Sequence, residues 1–167
     1  MRELSSALNT PPAQPTTGGP GSAVTNDRPT VLMVDDNPEN LTVIGELLQG
    51  EYQVRAANSG ERALALAHLE PTPDLILLDL RLPDISGFEV CREIRALSSV
   101  PVIMVSAYAV EDLIREALRE GAFAALKKPL DFDLLFSTIE SSRGNGGLIL
   151  VTDDDPDICF SLRDILE

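Results

Sequence analysis

Apolar positions along this chain alternate between solid short runs and helical spacings. Residues 30–34, "TVLMV", form an almost wholly apolar run, as expected of a strand covered on both faces. "PENLTVIGELLQ" follows, with Leu41, Ile44, Leu47 and Leu48 at helical spacing and Gly50 as the stop. "YQVRAA" predicts a short strand, and "GERALALAHLE" a helix stopped by Pro71. "DLILLD" (74–79) is a second solid apolar run, this one ending in an acid, and "GFEVCREIRAL" predicts the helix after it. "PVIMVSA" (101–107) is a third buried run; "VEDLIREALREG" is an amphipathic helix closed by Gly121. "AFAAL" predicts the fifth strand and "DFDLLFSTIES" the fifth helix, with Asp131 as its N-cap.

Five strands alternating with five helices on short connections predict right-handed βαβ units and a parallel sheet covered on both faces. Over about 110 residues this is an α/β doubly wound (βα)5 domain of the flavodoxin-like type, strand order 2-1-3-4-5.

The ends of the chain break the rhythm. Residues 1–29 are rich in Pro, Gly, Ser and Thr, lack periodicity and predict a disordered arm. After the domain at 30–141, residues 142–147 read as a flexible linker. Residues 148–167 then repeat the opening motif: "LILVTDDDPD" echoes "VLMVDDNPEN", and with Asp154 over Asp36, Pro156 falls on Pro38 and Leu162 on Ile44. This predicts the first strand and helix of an incomplete second copy. Its apolar strand and the face of Ile158, Leu162 and Ile165 would be uncovered, which leaves the tail disordered, docked on the first domain or paired between chains as a homodimer.

Composition narrows the function. Thirteen basic residues against 27 acidic ones leave a net charge of -14, which disfavours nucleic acid and anionic membrane as partners and favours cations or a basic protein surface. No apolar run approaches the roughly 18–20 residues of a membrane helix, and the first residues show no signal-peptide core, so the expected location is cytoplasmic. Cys91 and Cys159 match no metal or redox spacing and read as small hydrophobes; His68 reads as a structural or surface residue.

Candidate chemistry gathers at the strand ends, where doubly wound sheets bind ligands. The first strand ends at Asp35 and Asp36, the third at Asp79, the fourth at Ser106, and the fifth near Lys127, Lys128 and Pro129. Strands one, three and four are neighbours in the predicted order, so these groups converge. Asp35 and Asp36 allow two readings, caps of the helix that Pro38 opens, where Asn37 or Asp36 would cap well, or metal ligands; the two are compatible if Asn37 and Pro38 start the helix while both acids hold a cation. Three carboxylates in one cleft raise one another's pKa unless a cation compensates, and hard oxygen donors suit Mg2+. With Lys128 and the Ser106 hydroxyl, the cleft would receive a phosphoryl group, with Asp79 as nucleophile.

"VDDNP", "LLDLRLPDISG", "VSA" and "LKKPL", in this order, resemble the receiver domain of two-component response regulators, the CheY-like family. The resemblance covers residues 30 to 141. It implies Asp79 as phosphoacceptor, and Asp35, Asp36, Asp79 and the Arg81 carbonyl as Mg2+ ligands. It further implies that Ser106, Lys128 and the backbone N–H groups of Leu80 and Ala107 hold the phosphoryl oxygens. A cis peptide before Pro129 is expected, as is a histidine kinase or histidine phosphotransfer protein as donor. The implied role is a signalling phosphoacceptor that assists only its own phosphorylation and dephosphorylation. One position departs from the family pattern: an aromatic is common three residues before the lysine, and here that residue is Ala125, with Tyr108 or Phe123 as candidate substitutes. Two other readings compete. One is a receiver-like interaction module indifferent to phosphorylation. The other is an aspartate-nucleophile phosphohydrolase, disfavoured because its D-x-D pattern is absent from the first acidic strand. The tail copy lacks the acceptor, serine and lysine, and no phosphorylation chemistry is assigned to it.

Overall fold

A computed structural model describes residues 28–108 and 111–144. The tail repeat and the linker beyond Gly144 lie outside the described residues. So does the N-terminal arm up to residue 27.

The elements alternate as β1 (Thr30–Val34), α1 (Pro38–Leu48), β2 (Gln53–Ala57), α2 (Gly60–Ala67), β3 (Leu75–Asp79), α3 (Gly87–Leu97), β4 (Val102–Ser106), α4 (Glu111–Arg119), β5 (Ala124–Lys127) and α5 (Phe132–Arg143). All strand pairs are parallel, and the order is β2-β1-β3-β4-β5, as predicted. β1 and β3 are buried along their whole length, which explains their solid apolar sequences.

The two faces of the sheet carry separate cores. On one, Leu32, Val34, Ile76 and Leu78 pack with Ala63 of α2, Val90 and Ile94 of α3 and Ala117 of α4. On the other, Val31, Met33, Leu75, Leu77 and Ile103 pack with Leu48 of α1 and with Leu135 and Ile139 of α5. Alternate residues of each central strand thus serve opposite layers.

Four details differ from the sequence expectation. Leu47 is 42% exposed; the side of α1 that turns inward carries Leu41, Ile44, Gly45 and Leu48 instead. α2 ends at Ala67, with His68 as its exposed C-cap. β5 begins at Ala124 and runs to Lys127; just ahead of it Phe123 N–H donates to the Val102 carbonyl of β4 and Ala122 N–H to the Ala117 carbonyl of α4. Arg28 and Pro29 belong with the domain rather than the arm. Arg28 Nη1 donates to the Gln49 carbonyl (2.8 Å), and the Pro29 carbonyl accepts from Gln53 N–H (2.8 Å).

Caps set the helix starts beside the strand ends. Asn37 Oδ1 accepts from Glu39 N–H at 2.9 Å to cap α1, Ser86 and Glu89 form a capping box on α3, and Asp131 caps α5. Gly87 allows α3 to start hard against the end of β3. A Cβ there would lie 2.5 Å from the Asp79 carbonyl oxygen and 2.8 Å from Leu80 Cα. None of the described helices is long and apolar enough to cross a membrane.

Candidate functional site

β1 and β3 are hydrogen-bonded neighbours in register Val34↔Leu78, so their next residues, Asp35 and Asp79, emerge side by side at the carboxyl edge. β5 is two strands from β3, yet its following residue, Lys128, reaches back across β4. The Lys128–Pro129 peptide is cis. Lys128 Nζ donates to Asp35 Oδ2 at 2.7 Å and to Asp79 Oδ2 at 2.5 Å, while Lys127 points into solvent.

Asp35 is only 5% exposed and Asp79 only 6%, so their charges require local partners. Asp35 Oδ1 accepts from Asn37 N–H (2.8 Å), and Asn40 Nδ2 donates to both of its oxygens (3.2 and 3.0 Å). Asp79 Oδ1 accepts from Arg81 N–H at 3.0 Å. Burial nevertheless raises the Asp79 pKa above the ordinary aspartate value, against the opposing pull of Lys128 and the Arg81 N–H. Lys128 shifts the other way in charge terms. Burial disfavours its ammonium, but the hydrogen bonds and charges of Asp35 and Asp79 outweigh that, and its pKa is raised.

Asp36 is exposed, but a carboxylate oxygen from each of Asp35, Asp36 and Asp79 lies within 4.8 Å of the other two. The donors are three hard, anionic oxygens without thiol or imidazole, a set that fits a small divalent cation such as Mg2+. Of the capping candidates at the end of β1, the structure uses one. Asn37 is the helix cap, Asp35 is held in the cleft, and Asp36 stands at its mouth.

Ser106 ends β4 next to β3, and Lys128 N–H donates to its carbonyl at 2.7 Å. The Ser106 hydroxyl is engaged with the following turn. It donates to the Tyr108 carbonyl (3.0 Å) and accepts from Tyr108 N–H (3.1 Å). Leu80 differs from expectation: its N–H continues the β3–β4 ladder and donates to the Val105 carbonyl at 2.9 Å. The amide turned toward the Asp79 carboxylate is that of Arg81, one residue later.

Sequence reasoning missed three participants. Asn40 carries only the weak signal of a polar residue one turn into a helix that follows two acids. Asp84 accepts from Gly60 N–H and Glu61 N–H, both at 2.8 Å, and so ties the β3–α3 loop to the start of α2; these bonds hold its pKa down to about 2. The Arg81 guanidinium lies 4.6 Å from the centre of the Tyr108 ring. Nothing in the local sequence signals the Asp84 or Arg81 contacts, because both partners are remote. Cys91 is fully buried with its pKa raised to about 11, chiefly by burial, consistent with an inert core thiol.

The model of the response regulator receiver domain matches residues 31–140. The chain belongs to the response regulator receiver family. Among curated relatives, the transcriptional regulatory protein ZraR of Escherichia coli K12 is 40% identical over 121 residues, 71% of this chain and 27% of ZraR. The signal transduction histidine-protein kinase BarA of the same organism is 36% identical over 123 residues, 71% of this chain and 13% of BarA. The chain thus spans a minor part of the length of both relatives. Among solved structures, a chain of the CheX–CheY–BeF3–Mg2+ complex of Borrelia burgdorferi aligns with a TM-score of 0.64 at 26% identity, covering 68% of this chain and 87% of that one. Five parallel strands in order 2-1-3-4-5 with five helices are the CheY-like form of the flavodoxin-like fold.

Proposed function

We propose that this receiver is a phosphoacceptor of a two-component phosphorelay and that Asp79 carries the phosphoryl group. The observation that carries this reading is the convergence of Asp35, Asp79 and Lys128, from three separate strand ends, within direct hydrogen-bond contact. Asp79 Oδ attacks phosphorus, the bond from phosphorus to the donor's leaving atom breaks, and an acyl phosphate forms. Lys128 neutralises the transferred charge, and Ser106 Oγ turns from the Tyr108 carbonyl to donate to a phosphoryl oxygen. Arg81 N–H, released from the carboxylate, and Ala107 N–H supply further donors; Arg81 takes the place first expected of Leu80.

Asp35, Asp36, Asp79 and the Arg81 carbonyl would hold Mg2+. Bound there, the ion supplies compensating charge for the carboxylates and the phosphoryl oxygens. The presence of Mg2+ and BeF3 in the similar Borrelia CheX–CheY complex supports Mg2+ as the ion. The donor is a histidine kinase or histidine phosphotransfer protein, a reading supported by likeness to a receiver within a histidine kinase. The domain signals from the cytoplasm, catalyses no reaction beyond its own phosphorylation and dephosphorylation, and passes its state to a protein partner. The net charge of -14 argues against nucleic acid or anionic lipid as that partner.

The test is Mg2+-dependent labelling by acetyl phosphate. Labelling should fall by about 100-fold or more in Asp79→Asn and on chelation of the metal. Full labelling of Asp79→Asn would refute the acceptor assignment.

A further inference from the structure

The Asp35 carboxylate accepts four hydrogen bonds, as many as its lone pairs allow. Oδ1 accepts from Asn37 N–H at 2.8 Å and from Asn40 Nδ2 at 3.2 Å. Oδ2 accepts from the same Asn40 nitrogen at 3.0 Å and from Lys128 Nζ at 2.7 Å. A carboxylate only accepts, so the nitrogen of the Asn40 amide must be the atom that faces it.

These partners differ in how freely they can leave. Asn37 is the N-cap of α1 and Asn40 lies in its first turn, so both are fixed by the helix itself. The Asn40 side chain is half-buried and neutral. Lys128 comes from the far side of the sheet on a long stem, and it divides its ammonium between Asp35 and Asp79. A cation entering among the acids therefore displaces Lys128 and leaves the two α1 donors in place. Oδ1 then stays filled, and Oδ2 offers its one vacated lone pair on the side it shares with Asp79. Ions respond differently to that restriction. Mg2+ demands near-octahedral geometry, is content with single carboxylate oxygens and keeps its waters. Ca2+ takes a larger and more flexible shell and gains from chelation by both oxygens of one carboxylate.

We propose that Asn40 sets the metal preference of the acid cleft: by filling Asp35 Oδ1 it confines Asp35 to one coordinating oxygen and so favours Mg2+ over Ca2+. This inference rests on the reading of Asp35, Asp36 and Asp79 as holders of a divalent cation. Asn40 acts through Asp35 and is a positioning residue. Because its amide is uncharged, removing it leaves the charge of the cleft as it was, and a changed preference reports which oxygens are free.

The test is titration calorimetry of the full chain with Mg2+ and, separately, with Ca2+. The parent is compared with Asn40→Leu, which nearly keeps the side-chain shape but cannot donate. Mg2+ should bind the variant about tenfold more weakly, a loss typical when a hydrogen-bond partner of a metal-holding side chain is removed. Ca2+ gains the freed Oδ1 and should change by less than about threefold, so the ratio of the Ca2+ to the Mg2+ dissociation constant should fall by about threefold or more. Loosening of the fold alone weakens both ions in proportion and does not move this ratio. Asn40→Ala, which removes the amide with less crowding, should shift the ratio in the same direction and serves if the leucine variant does not fold. A ratio equal to the parent's in the folded variants overturns the inference and leaves the metal site standing. A parent protein that binds neither ion removes the metal reading, and the inference falls with it.

Discussion

Within a few residues of Asp79 the molecule builds two clefts of opposite character. The first, bounded by the ends of β1, β3 and β5, is charged and fully engaged: both oxygens of Asp35, both of Asp79 and the ammonium of Lys128 have partners within 3.2 Å. The second, between β4, β5 and α4, is apolar and opens to solvent beside the exposed Tyr108. Buried charge cannot tolerate an unmet partner, so the first cleft is tightly specified. An apolar gap loses only dispersion contacts, so the second can remain open until another group fills it.

The largest effect on this contrast should come from Lys128→Ala. It leaves Asp35 and Asp79 facing each other without the ammonium and should cost about 1–3 kcal/mol in urea unfolding. At one fixed Mg2+ concentration, 100 times the variant's dissociation constant, the ion should restore about 2–3 kcal/mol, more than the parent protein gains at that same concentration because its lysine competes with the metal. Equal gains in both would deny that lysine and metal compete to neutralise the same acids. Gly87→Ala tests how firmly α3 is seated against the acceptor strand. Its Cβ would press on the Asp79 carbonyl, and the expected loss is about 1–3 kcal/mol by the same measurement.

On the apolar side the sign should reverse. Ala125→Val adds methyl groups facing the cavity and should raise stability by about 0.5–1 kcal/mol; a loss of that size would mean that the cavity is not free to accept them. Tyr108→Ala should change stability by no more than about 0.5–1 kcal/mol, since its ring contact with Arg81 is exposed.

The last effect appears only in acid. Asp84 is held near 2 by the N–H groups of Glu61 and Gly60, below the ordinary value of 3.8. A depressed acid stabilises the fold above its unfolded pKa and ceases to do so as pH falls through its folded one. Stability should therefore decline between about pH 4 and 2, and Asp84→Asn should flatten that part of the curve in urea midpoints taken across the range. An unchanged slope would remove the α2 tie as a titrating contact.

Much of the fold was legible because the apolar runs of β1, β3 and β4 have the length and solidity that only a doubly covered parallel strand needs. The helix caps Asn37 and Asp131 were readable for the same local reason: each acts within three residues of itself. Leu47 was misplaced because periodicity marks a stripe without saying how much of it the neighbouring layer covers, and Leu47 lies 42% exposed. The convergence of Asp35, Asp79, Ser106 and Lys128 on one edge followed from strand order. The partners of each group did not, since Leu80 and Arg81 are adjacent in sequence and only the strand ladder decides which amide is spent on Val105.

The sequence alone determined the alternation of strand and helix, the parallel sheet, its order and the clustering of acids at one edge. These depend on local periodicity and on the handedness of βαβ units, which every segment carries by itself. The tertiary structure decided that Lys128 lies on both carboxylates, that the Ser106 hydroxyl is occupied by Tyr108, and that Ala125 leaves a cavity beside an exposed ring. Those facts depend on distances between residues far apart in the chain, and such distances exist only once both layers have packed onto the sheet.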